Sequence, residues 1–588
     1  MAEQDLINFC DRFWLEGKRA QEQTDLVRAD EYFELVRGRQ WPEAMPRHYP
    51  AFMLNVLHDH VQRKTALLTD ARPVMDVATR NPGLQDVADI LRTLVQSLWD
   101  ELSWQERLAK GIGFSMIAGA NVATVVWDPT ADQGLGELRP QFFDPRFCVL
   151  DPTIRSPLDI EHAEFMGTEE LRPIASLVEQ FGPRAEAVRP DSSSGIRGRS
   201  QATRPSLLSA ATGVVRRFRR RPPAEGTAVP KAYVRHTWFK DWERDEHGQP
   251  RRYEQVTYAN GVSRLKPRRR ILRHVVTAGG VVLVDEPNPY WHGQYPYDIL
   301  DWGLESEHPW GQSEIRQLQS AQMALNRLAS QILRNASLLN NFRIVSDHDA
   351  MDPEQFDLLS NRPAIVIKKR RNRQITFEAP PALPSYLFTL IEFLLKAIDL
   401  VGGLNEVARG TGTSGMSGIT VEALQVAAQS VVRLQARRIE AFLTRLFNKV
   451  IACIFQYYTS DRVRYLSGPD GQLIPYIFNR ASLVLKMHDP RKEFRDFTLS
   501  THPGSSLNAT RIQRAVLEGN LFQMGLVGGL DVLKAVEHKD PEGTYERAKQ
   551  EAAEKAQMAA AAGLRQAIPG GKRQLQSFPA GIYGENGA

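Results

Sequence analysis

The chain has 588 residues, of which 42% are hydrophobic and 24% are charged, and its formal net charge is +5. At roughly 150 residues per domain, this length predicts three or four domains with several hydrophobic cores, which excludes a small disulfide-stapled fold and a globally disordered chain. No apolar run approaches the ~18 residues that a membrane-spanning helix needs, and the first residues lack the basic and apolar blocks of a secretory signal.

The first half of the chain is predicted to be helical and then rich in strands. Between about residues 5 and 105, apolar residues recur at three- and four-residue spacing, which is typical of amphipathic helices. The β-branched run 122–127 and the short runs 142–143 and 148–150 predict strands, because each ends at an Asp-Pro turn. Beyond residue 230, further runs predict a β-meander with strands at 233–239, 253–258, 271–277 and 281–284.

Positive charge is concentrated in one segment. Residues 192–231 hold nine basic residues and one acidic residue, in a Ser- and Pro-rich context with little hydrophobic periodicity. We expect a surface insertion that either contacts a polyanion locally or remains a solvated linker. Its arginine cluster consists of Arg216, Arg217, Arg219, Arg220 and Arg221.

A long helix and a helical partner follow. Between residues 311 and 340, Leu or Ile recurs every seven residues, a spacing that predicts a seam packed against another helix. The apolar helix predicted at 385–401 is the candidate partner, and the segment 342–384 between them has a small α/β pattern. The expected result is a helical hairpin with a decorated tip, whose seam residues are Leu318, Leu325, Ile332 and Leu339.

A glycine-rich loop follows the hairpin. Residues 402–418 hold six glycines, two threonines and two serines, and the charges of Glu406 and Arg409 cancel. This composition is ordinary in linkers, and it also suits a weakly polar loop that touches a repetitive partner without binding it tightly. The rest of the chain is predicted to contain the longest helix at 420–457, two or three strands between 463 and 500, and short helices between 508 and 560.

No motif in the sequence predicts catalysis. The segment 570–573 lacks the first glycine and the hydroxyl residue of a Walker A loop, and 111–115 fits neither a nucleophile elbow nor a dinucleotide fingerprint, so close helix packing is expected there. His58 and His60 face different directions on a helix, so we expect no metal site, and we expect no cofactor. The aspartates that precede prolines are turn formers rather than a two-metal carboxylate set. The cysteines lie far apart with no CxxC motif, which predicts buried thiols at Cys10, Cys148 and Cys453.

Two further basic clusters occur in the chain. One is 268–270, between strands of the predicted meander, and the other lies in the tip of the helical hairpin. A solvated charged face is one interpretation of each cluster. For the cluster in the tip, docking of an acidic partner is the other interpretation. The cluster in the tip consists of Lys368, Lys369, Arg370, Arg371 and Arg373.

In the order of these parts, the chain resembles the portal proteins of tailed double-stranded DNA bacteriophages, which are head-to-tail connectors. The matching stretches are 288–296, 309–326, the loop and helix through 414–425, and 497–504 with the helix 509–519. The resemblance spans roughly residues 25–550 as an order of elements with loose motifs.

The resemblance implies an α+β, mainly helical portal fold that assembles into a ring of about twelve subunits. It implies a wing at 1–306, which is first helical and then β-rich and contains the basic insertion 190–230. The strands of 458–505 would also belong to the wing. The remaining regions would be stem helix 1 at 307–341, the clip at 342–384, stem helix 2 at 385–401, the tunnel loop at 402–418, the long helix at 419–457, the crown helices at 506–562 and a flexible tail at 563–588.

The implied function is a channel at one capsid vertex through which double-stranded DNA is packaged and ejected. The implied location is the virion, after assembly in the host cytoplasm and without a membrane. Implied partners are further copies of the chain, the DNA, the terminase large subunit, the major capsid protein or scaffold, and head-tail adaptor proteins. In the tunnel loop, the residues expected to face DNA are Asn405, Arg409, Thr411, Thr413, Ser414, Met416 and Ser417.

The residues themselves fit a passive conduit. A chain without catalytic motifs suits a channel whose ATP hydrolysis takes place in a separate terminase, and a loop of zero net charge avoids salt-sensitive contacts with phosphates. The basic cluster of the clip, repeated about twelve times, would give roughly sixty positive charges, so we expect it to dock the terminase or adaptor proteins. The alternatives are a DNA-processing enzyme or motor subunit of the packaging machinery, or another head-tail connector component.

Overall fold

The structure is a computed structural model of the chain. It describes residues 3–42, 50–70, 72–191, 229–243, 249–257, 263–287, 289–303, 307–339, 343–347, 371–378, 384–403, 430–467, 473–485, 487–501, 518–519, 521–522, 524, 527–535 and 544–550. The chain divides into two compact units. One consists of Met1–Ser467 with Leu473–Asn508, and the other of Gly468–Gln472 with Ala509–Ala588.

The first unit begins with helices whose apolar faces are buried. The helical prediction for this part is confirmed, and in the fourth helix Leu91, Leu94 and Leu98 follow the expected three- and four-residue spacing inside the core. A strand that was not predicted, β1 (Met75–Thr79), interrupts the series. The helices are α1 (Glu3–Gln21), α2 (Ala29–Val36), α3 (Val56–Leu68), α4 (Gln85–Glu101) and α5 (Trp104–Ala118).

Two antiparallel sheets follow the helices. The smaller has the order β11-β2-β3, and the larger has the order β10-β9-β6-β5-β4 with helix α6 (Ile174–Phe181) after β5. The predicted strands that end at Asp-Pro turns are confirmed as β2, β3 and β4. The strands of these sheets are β2 (Ala120–Asp128), β3 (Glu137–Phe143), β4 (Cys148–Leu150), β5 (Phe165–Pro173), β6 (Lys231–Asp241), β9 (Ile271–Ala278), β10 (Val281–Pro287) and β11 (Tyr297–Asp301).

The prediction of one continuous meander is wrong. Strands β6, β9 and β10 are neighbours, but β7 (Tyr253–Thr257) and β8 (Ser263–Pro267) pair only with each other among the described strands. The described side chains of this hairpin are largely solvent-exposed, including Tyr253 and Leu265. Without a buried apolar face, the hairpin has nothing to pack into the larger sheet.

The predicted helical hairpin is present. Helix α7 (Glu314–Leu339) packs against helix α8 (Tyr386–Val401), and the strands β12 (Arg343–Ser346) and β13 (Ile375–Glu378) pair with each other between them in the sequence. Helix α7 begins later than predicted because Gly311 has a φ of 59° and its position has no room for a Cβ atom.

The long helix α9 (Ser430–Tyr457) runs through the largest core cluster, and its predicted part at 420–429 lies outside the described residues. Phe447 of α9 packs against Trp104 with ring centroids 4.6 Å apart. Three strands follow, as predicted, and β16 pairs with β1. The remaining elements are β14 (Arg462–Ser467), β15 (Leu473–Phe478), α10 (Arg480–Val484), α11 (Pro490–Glu493), β16 (Phe497–Thr501) and, in the second unit, α12 (Gly529–Ala535).

Several smaller predictions are also confirmed. The three cysteines are buried free thiols, and burial raises the pKa of Cys10 and of Cys453 to about 12, so neither is a reactive thiolate at neutral pH. A Cβ atom on Gly111 would lie 2.6 Å from the ring of Phe142, which confirms close packing, although Gly111 lies inside α5. The carboxylates of four Asp-Pro sites cap turns by accepting from the amide two residues later: Asp128, Asp144, Asp151 and Asp489. Asp352 and Asp540 lie outside the described residues.

Candidate functional site

The seam of the helical hairpin is the first predicted site that the structure describes. Leu318 and Leu325 of α7 are buried and Ile332 is partly buried, whereas the side chain of Leu339 lies outside the described residues. On α8, Ile398 is fully buried, and Ile391 and the neighbouring leucines pack against the same core. Leu318, Leu325 and Ile398 all belong to the largest core cluster, so both helices bury apolar residues in the same core.

Helix α8 has a second apolar face that the seam does not use. Its members are spaced four, three and seven residues apart, so they lie on one side of the helix, away from Ile398. Their exposed fractions range from 39% to 74%. This exposed α8 face consists of Tyr386, Leu390, Phe393 and Leu400. A contiguous exposed apolar face of this kind is typical of a surface that binds another protein.

Helix α7 also carries a stripe of buried polar side chains that sequence reasoning missed. Gln322 accepts a hydrogen bond from the Val56 amide at 3.2 Å and donates to the Leu54 carbonyl at 2.6 Å. Asn326, one turn later, accepts from the Leu54 amide at 3.2 Å. The polar stripe thus satisfies the backbone of the segment that leads into α3. The signal in the sequence is the four-residue spacing of Gln322, Asn326 and Ser330.

The base of the hairpin is a buried ionic cluster. Glu314, the first residue of α7, accepts hydrogen bonds from Nε2 of His60 and Nζ of Lys64, both at 2.7 Å. The indole of Trp302 donates to its other oxygen at 2.7 Å. Lys64 also donates to the carbonyl of Gly402, the residue directly after α8, at 3.1 Å. The two ends of the hairpin and α3 therefore meet at one carboxylate.

The electrostatics of this cluster favour an ionised carboxylate. Burial by itself raises the pKa of Glu314, but hydrogen bonding from His60 and the positive charge of Lys64 outweigh it and hold the pKa below the usual value of 4.5. The other ring nitrogen of His60, Nδ1, is buried and has no hydrogen-bond partner among the described residues.

The basic cluster of the hairpin tip is described only in part. Arg371 and Arg373 are exposed and lie just before β13, where Asn372 has a φ of 62°. The other members of the predicted cluster lie outside the described residues: Lys368, Lys369 and Arg370.

Two other predicted sites lie wholly outside the described residues. These are the arginines of the basic insertion, Arg216, Arg217, Arg219, Arg220 and Arg221, and the predicted DNA-facing residues Asn405, Arg409, Thr411, Thr413, Ser414, Met416 and Ser417.

The basic cluster at 268–270 is largely neutralised by acidic neighbours. Arg268 pairs with Glu254 at 3.4 Å, and the guanidinium of Arg270 donates to Glu164 at 2.6 Å. Arg270 also lines a cleft of about 660 Å³, where Lys240 donates to the carbonyl of Glu161 at 2.6 Å. These pairings fit a solvated charged face.

Within the described ranges, no group of three His, Cys, Asp or Glu side chains has the arrangement of a metal site. None of the helices in these described ranges is long and apolar enough to cross a membrane.

Comparison with protein families decides what kind of protein these elements form. The model of the Phage P22-like portal protein family matches residues 12–577, which is nearly the whole chain. The chain belongs to this family. No curated protein matched the sequence in a separate search. The resemblance noted in the sequence is thereby confirmed, as is the α+β class.

Family membership gives this chain the function of a phage portal protein, a structural head-tail connector. Portal proteins are structural rather than enzymatic, and the family implies a location at the portal vertex of the virion. The two helices of the hairpin, its basic tip and its buried base are therefore parts of a portal subunit.

Proposed function

We propose that about twelve copies of this chain close into a ring that forms the channel for double-stranded DNA at one capsid vertex, during both packaging and ejection. The observation that carries this proposal is the family match over residues 12–577. Propulsion comes from a separate terminase, and the chain itself hydrolyses no nucleotide.

The exposed α8 face supports ring closure. A ring needs heterologous contacts, in which one face of each subunit meets a different face of the next. Burying one large apolar side chain in such a contact contributes roughly 2 kcal/mol. Tyr386, Leu390, Phe393 and Leu400 are exposed apolar residues that can be buried against a neighbouring subunit. The segment held by the polar stripe of α7 adds exposed Phe52, Met53 and Leu54.

The same proposal assigns each part of the chain to a region of the portal subunit. Helices α7 and α8 form the stem within 307–341 and 385–401, and strands β12 and β13 belong to the clip at 342–384. The wing comprises 1–306 and the strands of 458–505, and α9 is the long helix within 419–457. Residues 402–418 form the tunnel loop, residues 506–562 the crown and residues 563–588 the tail.

The partners of the ring are assigned by charge and position. The basic cluster Lys368–Arg373 docks the terminase large subunit and later the adaptor proteins, because a band of positive charge attracts an acidic surface. The exposure of Arg371 and Arg373 supports this assignment. The wing contacts the major capsid protein or scaffold. The tunnel loop, with no net charge, contacts the DNA without holding it.

Ring formation is tested by placing charge on the exposed α8 face. The double variant Leu390→Asp with Phe393→Asp is expected to remain folded but monomeric, because two carboxylates cannot be buried in an apolar contact. The matched control is Leu158→Asp, which changes an exposed leucine of the β-rich part and is expected to leave rings intact. Native mass spectrometry and negative-stain images give the readout. A wild-type protein that stays monomeric at high concentration contradicts the proposal, as does ATP hydrolysis by the purified chain.

A further inference from the structure

The base of the hairpin concentrates buried charge at the point where both stem helices meet the rest of the first unit. His60 is 2% exposed and Lys64 is 3% exposed, and both lie on α3. Glu314 begins α7, and Gly402 directly follows α8. A surface ion pair is weak, but a pair withdrawn from water is sensitive to the loss of either partner.

The hydrogen bonds of the cluster join α3 to the start of α7 and to the residue that follows α8. Lys64 divides its donors between the carboxylate at the start of α7 and the Gly402 carbonyl at the end of α8. His60 donates from Nε2 to the same carboxylate, because a carboxylate only accepts. One lysine therefore sets the distance between the start of α7 and the end of α8.

The packing at Gly402 brings the end of α8 directly against His60. A Cβ atom at Gly402 would lie 2.2 Å from Cε1 of His60, so the imidazole rests directly on the backbone. The Gly402 amide donates a hydrogen bond to the carbonyl of Ile398 at 2.9 Å, which closes the last turn of α8 against this ring. A larger residue at 402 cannot occupy this position unless the imidazole moves.

We propose that His60, Lys64 and Glu314 are positioning residues, which hold the end of α8 against the start of α7 and so fix where the chain leaves the stem. This inference rests on the proposed function, in which the chain beyond α8 serves passage and retention of DNA. The cluster makes no contact with DNA itself. It acts by keeping the stem ends of every subunit in the same place, so that all copies in a ring present identical geometry.

The experiment compares two buried lysines in the full-length protein. Lys64→Met removes the ammonium group from the cluster, and Lys449→Met removes a lysine that is also buried but bonds the Tyr297 carbonyl on β11. Hydrogen exchange of the amides at 396–403 is measured for both variants, together with ring mass and the fraction of assembled particles that keep a full-length genome. Each variant is expected to lower thermal stability.

Lys64→Met is expected to accelerate exchange at 396–403 by about tenfold or more and to lower genome retention, with rings still formed. Lys449→Met is expected to leave exchange at 396–403 and retention at wild-type values. Unchanged exchange in Lys64→Met overturns the proposal, as does equal acceleration in the two variants or wild-type genome retention in Lys64→Met. Failure of the wild-type protein to form rings is a separate result that contradicts the proposed function, since the exchange measurement does not require a ring.

Discussion

Arg464 and Glu137 form an ion pair with 2.5 Å between the guanidinium nitrogen and the carboxylate oxygen, and the arginine side chain is only 4% exposed. Arg464 also pairs with Glu101 at 2.7 Å and donates to the Tyr458 hydroxyl at 3.0 Å. Strand β14 therefore turns a charged side chain inward, while its neighbour Tyr465 is exposed. This inversion of the usual pattern of apolar residues inside and polar residues outside is possible at Arg464 because two carboxylates pair with it.

Replacing Arg464 with leucine is expected to lower the free energy of unfolding by about 3–5 kcal/mol, because Glu137 remains buried without its cation. Arg63→Leu is the control, since the pair of Arg63 with Asp59 is solvent-exposed, and a change below about 1 kcal/mol is expected there. Denaturant titration of both variants gives the comparison. Equal losses of stability in the two variants would contradict the conclusion that the buried carboxylate of Glu137 depends on Arg464.

The seam of α7 offers a matched pair of leucines on one helix. Leu325→Ala is expected to cost about 2–5 kcal/mol, because it leaves a cavity in the core. Leu333→Ala is expected to cost less than about 1 kcal/mol, because Leu333 is 43% exposed whereas Leu325 is 1% exposed. Thermal unfolding of monomeric protein measures both values, and a larger loss for Leu333 would rule out the packed seam.

The polar stripe of α7 is expected to hold the segment before α3. Asn326→Leu leaves the Leu54 amide without its acceptor and is expected to cost about 1–3 kcal/mol. The variant should also speed proteolytic cleavage near residues 50–56, because the backbone there loses a hydrogen bond to α7. Gln317→Leu, which changes an exposed residue of the same helix, serves as the control. Equal cleavage of the two variants would show that the stripe does not hold this segment.

Acid sensitivity is expected from buried histidines. Burial, with the neighbouring charge of His274, lowers the pKa of His236 to about 3. Below about pH 6.5 this histidine binds a proton in the unfolded chain but not in the folded chain. The free energy of unfolding therefore has its full value above pH 6.5 and falls as the pH decreases toward 3, by up to about 1.4 kcal/mol per pH unit.

His236→Phe is expected to flatten the pH dependence of the free energy of unfolding, because phenylalanine does not titrate. The difference in bound protons between the unfolded and folded chain is expected to decrease by about one. The control His58→Phe changes an exposed histidine and is expected to leave the slope unchanged. Unfolding free energies between pH 4 and 7 give both slopes, and an unaltered slope in His236→Phe would disprove the assignment.

The basic cluster of the hairpin tip is expected to dock the terminase. Reversing charge with Lys368→Glu and Arg370→Glu should abolish binding of the terminase large subunit while rings still form, since opposite charges steer and hold the two surfaces. Charge reversal at Arg252, an exposed arginine of the β-rich part, provides the control. Co-sedimentation at several salt concentrations measures binding, and wild-type packaging by the double variant would refute docking at this cluster.

Elements with a strong local signal were predictable. The seven-residue recurrence of Leu318 and Leu325 locates α7, and the turn chemistry of Asp128 and Asp144 marks the ends of strands, because both signals lie within one element. Strand β1 was not predictable, since its partner β16 lies far along the chain. The exposed β7-β8 hairpin was assigned to the wrong sheet for a related reason, because strand pairing depends on burial that a sequence does not reveal.

The sequence by itself determined the class of fold, the helical hairpin and, through the order of its parts, the family, because periodicity, turn residues and element order are carried along the chain. Only the tertiary structure decided that His60 and Lys64 meet Glu314 at the base of the hairpin, and that one face of α8 is left exposed. Those relationships depend on which surfaces face each other after folding. His60, Lys64 and Glu314 come from segments that are distant in the sequence, so no local pattern shows that they meet.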